Sequence, residues 1–125
     1  MARREVLDEQ MGAVIGAYPG AAIQESGDGT HIVSVRLPLR AGWNAASTLA
    51  QFLVPIPYPA AQPDCFYTDP GLRLANGSMP TNAGLQPVAG EHLLWFSWHV
   101  ASWNPAKDSL LGYVRFITER LRRAQ

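Results

Sequence analysis

A single cysteine in 125 residues leaves no partner for an internal disulfide, so the fold must be held by its core, and the free thiol fits a reducing compartment such as the cytoplasm. Charge of one sign is also missing. Ten basic and ten acidic residues cancel, which removes the electrostatic footprint that nucleic acid or an anionic membrane surface would require. No apolar run approaches the length of a membrane span, and Met-Ala-Arg-Arg-Glu leads into an amphipathic segment, not the apolar core of a signal peptide. There are no internal repeats, no low-complexity tracts and no lysine-closed glycine loop for a phosphate. His31, His92, His99 and Cys65 show no compact metal-ligand spacing. These absences predict one soluble, cytoplasmic domain over residues 1–125, with no nucleic acid, membrane, metal or cofactor among its partners.

What is present is patterned. From about Arg4 to Ala17, Leu7, Met11, Val14 and Ile15 recur at helical spacing, and Tyr18-Pro19-Gly20 ends the run. Ala21 to Glu25 and His31 to Leu37 flank Gly27-Asp28-Gly29, whose glycines suit a hairpin turn, and the alternation of Val33, Val35 and Leu37 predicts a sheet with one buried face. A third strand is expected from about Thr48 to Val54. Prolines 55, 57, 59 and 63 then impose a non-strand crossing, and Cys65-Phe66-Tyr67 follows as a short fourth strand. Gly71 to Gly90 has no sustained period and is expected to be a long functional loop. Asn104 and Pro105 propose an N-cap and first helical residue, ahead of Leu110, Val114, Ile117 and Leu121 on one face, with Arg120, Arg122 and Arg123 complementing the helix C-terminus. The predicted class is α+β: an N-terminal helix, a four-stranded antiparallel meander, a long loop of the active-site type and a C-terminal crossover helix.

Three of the four tryptophans fall between Trp95 and Trp103, in Trp-Phe-Ser-Trp-His-Val-Ala-Ser-Trp. Aromatics this dense bury much surface and mark a core element or the floor of a site. Extended, the segment puts Ser97 and His99 on one side and Trp98 on the other; helical, it stacks Trp95, His99 and Trp103 and turns Ser97 away. The first conformation pairs a hydroxyl with a base, and the second is a packed stripe around a core histidine. Cys65 lies between Asp64 and Phe66 with no cation close in sequence to stabilise a thiolate, so a structural role is expected. Asp64 and Asp69 are expected to serve turns and caps.

The order of Leu37-Pro38-Leu39, Pro55-Ile56-Pro57-Tyr58-Pro59, Pro63-Asp64-Cys65-Phe66, Asp69-Pro70, Gly77 and Trp103-Asn104-Pro105 resembles the ubiquitin-conjugating E2 (UBC) fold over nearly the whole chain. It is most similar to a bacterial branch, E2 family protein E, with Trp95 to Trp103 resembling that branch's Trp-Ser-x-His region. The resemblance implies a helix-on-sheet UBC domain and the partners of a ubiquitin-like relay: an E1-like activating protein, a ubiquitin-like modifier and a deubiquitinase-like peptidase of the same pathway.

The departures from that pattern direct the functional expectation. An ordinary E2 carries a His-Pro-Asn motif and then a catalytic cysteine about eight residues before the Trp-x-Pro; here that place is Trp95, and Asp69-Pro70-Gly71 replaces the first motif only loosely. Ser97 is the candidate acyl acceptor, with His99 as its general base, giving an oxyester, and Trp95, Trp98 and Trp103 hold the site and keep water from the ester. Such a base contributes roughly 10²- to 10⁴-fold. Neither Asn76 nor Asn82 matches a family position that would supply the oxyanion donor. A non-catalytic E2 variant that binds its partner is the alternative, and a ligand-binding α+β domain unrelated to ubiquitin is a third reading.

Overall fold

The computed structural model describes residues 3–88 and 90–125. Met1 and Ala2, with which the reading of the N-terminus begins, lie outside the described residues, as does Ala89 of the expected loop. The chain runs α1 (Arg3–Ala17), β1 (Ala22–Glu25), β2 (His31–Pro38), β3 (Ser47–Val54), β4 (Phe66–Thr68), β5 (Ala83–Val88), β6 (Glu91–Phe96) and α2 (Leu110–Leu121). The strands form one antiparallel sheet in the order β1-β2-β3-β4-β6-β5. This α+β arrangement, with one helix before and one after an antiparallel sheet in the chain, fits a UBC-like fold.

Two-residue periodicity decides which sheet face is covered. Val33, Val35 and Leu37 of β2 and Thr48, Ala50, Phe52 and Val54 of β3 are buried, with less buried residues between them. Leu7, Met11 and Val14 of α1 and Leu110, Tyr113, Val114, Ile117 and Leu121 of α2 join the apolar residues among these in one core cluster. The Phe52 and Tyr113 rings tilt together at 4.8 Å between centroids, and Phe66 stacks on Phe96 at 4.7 Å. Gln10 links three segments at once: its Oε1 accepts the Leu110 N–H at 3.0 Å and the Tyr58 hydroxyl. No helix among the described residues is long and apolar enough to cross a membrane.

The structure departs from the sequence pattern in four places. The sheet has six strands, not four: within Gly71 to Gly90, Ala83–Val88 forms an edge strand, and it pairs along Glu91–Phe96, a further strand that leads into the tryptophan-rich segment. An edge tolerates Pro87, whose missing N–H costs no ladder bond on the open side. Cys65 is not a strand residue; it sits just before β4 at φ 59°, in the left-handed region. Ile15 stays 44% exposed, outside the buried stripe of α1. The α2 cap is Ser109, whose side chain accepts the Gly112 N–H at 3.1 Å. Asn104 instead caps a separate turn: its Oδ1 accepts the Ala106 N–H at 2.9 Å, and Asp108 closes that turn by accepting the Asn104 N–H at 2.6 Å.

Candidate functional site

Strand pairing assembles the site. Phe66 and Thr68 of β4 lie opposite Phe96 and Leu94 of β6, so the residues just before β4 meet those just after β6. The Cys65 N–H donates to the Trp98 carbonyl at 3.1 Å, and the Tyr113 hydroxyl donates to the Cys65 carbonyl at 2.7 Å. Both backbone polar groups of Cys65 are therefore held, one by the segment after β6 and one by α2. On the other side of β6, the Ser97 N–H donates to the Asn82 carbonyl at 2.9 Å, which continues the β5 ladder by one step.

The segment beyond Phe96 is not helical, and Trp98 packs against the core while the side chains of Ser97 and His99 meet on the more exposed side. Arg120 anchors the inward side. It is only 4% exposed, its guanidinium lies 5.3 Å from the Trp98 ring centroid and 5.2 Å from that of Phe96, and it donates to the carbonyls of Thr81, Arg123 and Gln125. Burial lowers the Arg120 pKa, and the three carbonyls compensate the buried cation. The expected complement to the helix C-terminus is thus met by Arg120, which reaches Arg123, whereas Arg122 pairs with Glu119 at 3.7 Å.

On the outward side each ring nitrogen of His99 has an oxygen partner. Nε2 lies 3.3 Å from Ser97 Oγ, and Nδ1 lies 2.5 Å from Asp64 Oδ1. An ionised carboxylate only accepts, so the proton of that bond belongs on Nδ1, which leaves the Nε2 lone pair facing the serine hydroxyl. Asp64, His99 and Ser97 are then disposed as orienter, base and nucleophile. The expected Ser97 and His99 are brought together. Asp64, expected to serve turns and caps, is instead brought against His99; it lies in the Pro63-Asp64-Cys65-Phe66 motif, and only the β4–β6 pairing reveals its partner.

Cys65 also differs from its expected surroundings, since its Sγ is 3.9 Å from His99 Nδ1. The imidazole absent from its sequence neighbourhood arrives through the fold. Its side chain is nonetheless buried, with Cys65 7% exposed, whereas the side chains of Asp64 and His99 are each 57% exposed. Tyr67 borders this group: partial burial raises its phenol pKa, with Cys65 and Asp64 adding to the effect.

The three tryptophans, expected to support the site, lie in three different settings, with Trp98 against Arg120. Trp95 is paired with Tyr67 and Gly84 across the sheet, and Trp103 donates Nε1 to the Pro59 carbonyl at 2.8 Å while its ring lies 5.8 Å from that of Tyr58. The Pro55 to Asp64 crossing is thereby fastened to the segment that precedes α2, which fixes the approach of Asp64 to His99. Asp69 takes no part in this group; its Oδ2 accepts the Thr48 hydroxyl and the Leu49 N–H, each at 3.2 Å, and so clamps β3 to the end of β4. Asn76 closes a turn onto Ser78.

A family model described as prokaryotic E2 family E matches residues 20–124. The chain belongs to prokaryotic E2 family E. No curated protein and no solved structure matches it. In this chain the Phe96-Ser97-Trp98-His99 segment carries the outward pair and the Pro63-Asp64-Cys65-Phe66 segment carries its carboxylate.

Proposed function

We propose that the chain is the E2-like carrier of a bacterial ubiquitin-like conjugation pathway, and that it accepts the modifier's C-terminal acyl group from an E1-like activator as an oxyester on Ser97. Membership of prokaryotic E2 family E supports the E2-like role, the activator and the modifier. The single observation that carries the serine is the contact series from Asp64 Oδ1 to His99 Nδ1 at 2.5 Å and from His99 Nε2 to Ser97 Oγ at 3.3 Å.

In the proposed step Ser97 Oγ attacks the carbonyl of an activator-bound thioester while its proton passes to His99 Nε2. The C–O bond forms, the C–S bond breaks on collapse of the tetrahedral intermediate, and the proton goes from His99 to the departing thiolate. Asp64 holds the ring in the required tautomer and stabilises the transient imidazolium, as the acid of a Ser-His-Asp set does. The Ser97 N–H already donates to Asn82, so the oxyanion donors have to come from other groups, the bound partner's included. Closure by the bound partner would likewise exclude water from a site that is open in the free chain, with Trp95, Trp98 and Trp103 as its fixed surroundings.

That same openness favours a second reading, an E2-shaped module that binds a modifier or activator without chemistry. Reconstitution with the cognate activator, modifier and ATP separates the two. The carrier reading expects a covalent adduct, mapped by mass spectrometry to Ser97, that survives mild reductant, is cleaved by hydroxylamine and is lost in Ser97→Ala. An adduct elsewhere, or none with a demonstrably active E1, overturns the serine mechanism and leaves the binding module.

A further inference from the structure

Asp64, Cys65 and His99 each offer one ligand atom, and these atoms all lie within 4.8 Å of one another. We propose that Asp64 Oδ1, Cys65 Sγ and His99 Nδ1 form a binding site for a thiophilic divalent cation of the zinc class, and that the cation switches off the base that serves Ser97. The donor set is one carboxylate, one thiolate and one imidazole. Soft sulfur and nitrogen donors select zinc over magnesium or calcium, which prefer oxygen.

The distances fit a small tetrahedral ion. With bonds of about 2.0–2.3 Å, zinc holds its ligand atoms roughly 3.3–3.6 Å apart. The Nδ1–Oδ1 separation of 2.5 Å is shorter and the Sγ–Nδ1 separation of 3.9 Å longer than that range, with all three atoms within 4.8 Å, so rotation of the exposed Asp64 and His99 side chains is what brings them onto one centre. Cys65 needs least adjustment, because its N–H and carbonyl are both held, by Trp98 and Tyr113, and its side chain is buried beside the two exposed ligands. The exposed side formed by Asp64 and His99 leaves the fourth position for water, as in zinc sites with three protein ligands.

Binding and base catalysis use the same nitrogen in incompatible states. With the Asp64 carboxylate ionised, and so able only to accept, Nδ1 of the free chain carries the proton of that contact and Nε2 is left to accept from Ser97. A cation on Nδ1 displaces that proton, leaves the neutral ring with its proton on Nε2, and makes His99 a donor to Ser97 Oγ, unable to take its proton. The Cys65 thiol proton goes to solvent as the sulfur–metal bond forms. The inhibitory consequence rests on the Ser97 reading; the binding site does not.

Metal-stripped protein titrated with Zn²⁺ by calorimetry, and with Co²⁺ by absorption, tests the site without activator or modifier. One ion per chain is expected, with a sulfur-to-cobalt charge-transfer band that Cys65→Ala abolishes. Cys65→Ala and His99→Asn should each weaken Zn²⁺ binding at least tenfold while keeping the parent's folded circular-dichroism spectrum, whereas Ser97→Ala and His92→Ala should bind as the parent does. A folded protein with a free thiol that gives no charge-transfer band, or Zn²⁺ affinity unchanged by Cys65→Ala, overturns the site. In the reconstituted reaction, added Zn²⁺ should suppress the Ser97 adduct in the parent and not in Cys65→Ala; equal suppression in both overturns the switch, while absence of any adduct overturns the Ser97 reading and leaves the calorimetric result standing.

Discussion

His99 Nδ1 lies 2.5 Å from Asp64 Oδ1, across 35 residues of sequence, and this bond decides which nitrogen of the ring faces Ser97. Its value is orientation more than energy, since both side chains are 57% exposed and solvent screens them. Asp64→Asn keeps the size of the side chain but allows an amide donor toward Nδ1, which favours the tautomer protonated on Nε2. Formation of the Ser97 adduct should then fall by about 10² or more, similar to the loss in His99→Ala, the range of a missing general base. Imidazole nitrogen NMR should report the proton on Nδ1 in the parent and on Nε2 in Asp64→Asn, with both proteins melting alike. An unaltered adduct rate in Asp64→Asn would remove the carboxylate from the mechanism.

Cys65 is the chain's one thiol and stands 3.9 Å from the same imidazole nitrogen, yet its burial opposes attack on a protein-bound acyl group. In buffer with a metal chelator, Cys65→Ala should form the Ser97 adduct at a rate near that of the parent, and lose about 1 kcal/mol of stability for the buried sulfur. Loss of the adduct in a folded Cys65→Ala protein would transfer the nucleophile from Ser97 to the thiol.

Much of this arrangement was legible in the sequence, for local reasons. Two-residue alternation pairs Ser97 with His99 only if the segment is not helical, an alternative the sequence left open and the fold decides. Val33, Val35 and Leu37 expose the buried face of β2 by the same alternation. Asp64 was not legible because its partner depends on the register of β4 against β6, where Tyr67 meets Trp95, and no local period encodes that register. Strand β5 was hidden by Gly84 and Pro87, residues that read as loop but are admissible on an edge with one pairing neighbour. Asn104-Pro105 does signal a cap, but the turn it caps is closed by Asp108, and the helix restarts at Ser109.

The packing of α2 on the sheet can be tested apart from any chemistry. Val114 is 1% exposed within the core cluster that includes Phe52, Phe66 and Tyr113. Val114→Asp would bury an unpaired carboxylate and should destabilise the protein by several kcal/mol, a large part of the total stability of a domain this size. A denaturant or thermal melt unchanged by the substitution would count against this face of α2.

Tyr58 and Tyr113 give the fold a defined alkaline limit. Each is 1% exposed, and burial raises both phenol pKa values well above the ordinary value of about 10. The direction of the pH effect follows from proton counting. Above about pH 10 the unfolded chain loses these protons while the folded chain keeps them, so the unfolded state binds fewer protons and stability falls as pH rises. Below that pH both states hold the protons, and the two tyrosines contribute no pH dependence. Each phenol can add a slope of up to about 1.4 kcal/mol per pH unit in the alkaline range. Denaturant melts between about pH 8 and pH 12 should therefore show a steep loss of stability in the upper part of the interval. Tyr113→Phe should lose about 1 kcal/mol at neutral pH with the hydrogen bond to the Cys65 carbonyl, and yet fall less steeply above pH 10 than the parent. Parallel alkaline limbs in the parent and in Tyr113→Phe would show that this phenol is not held protonated by the fold.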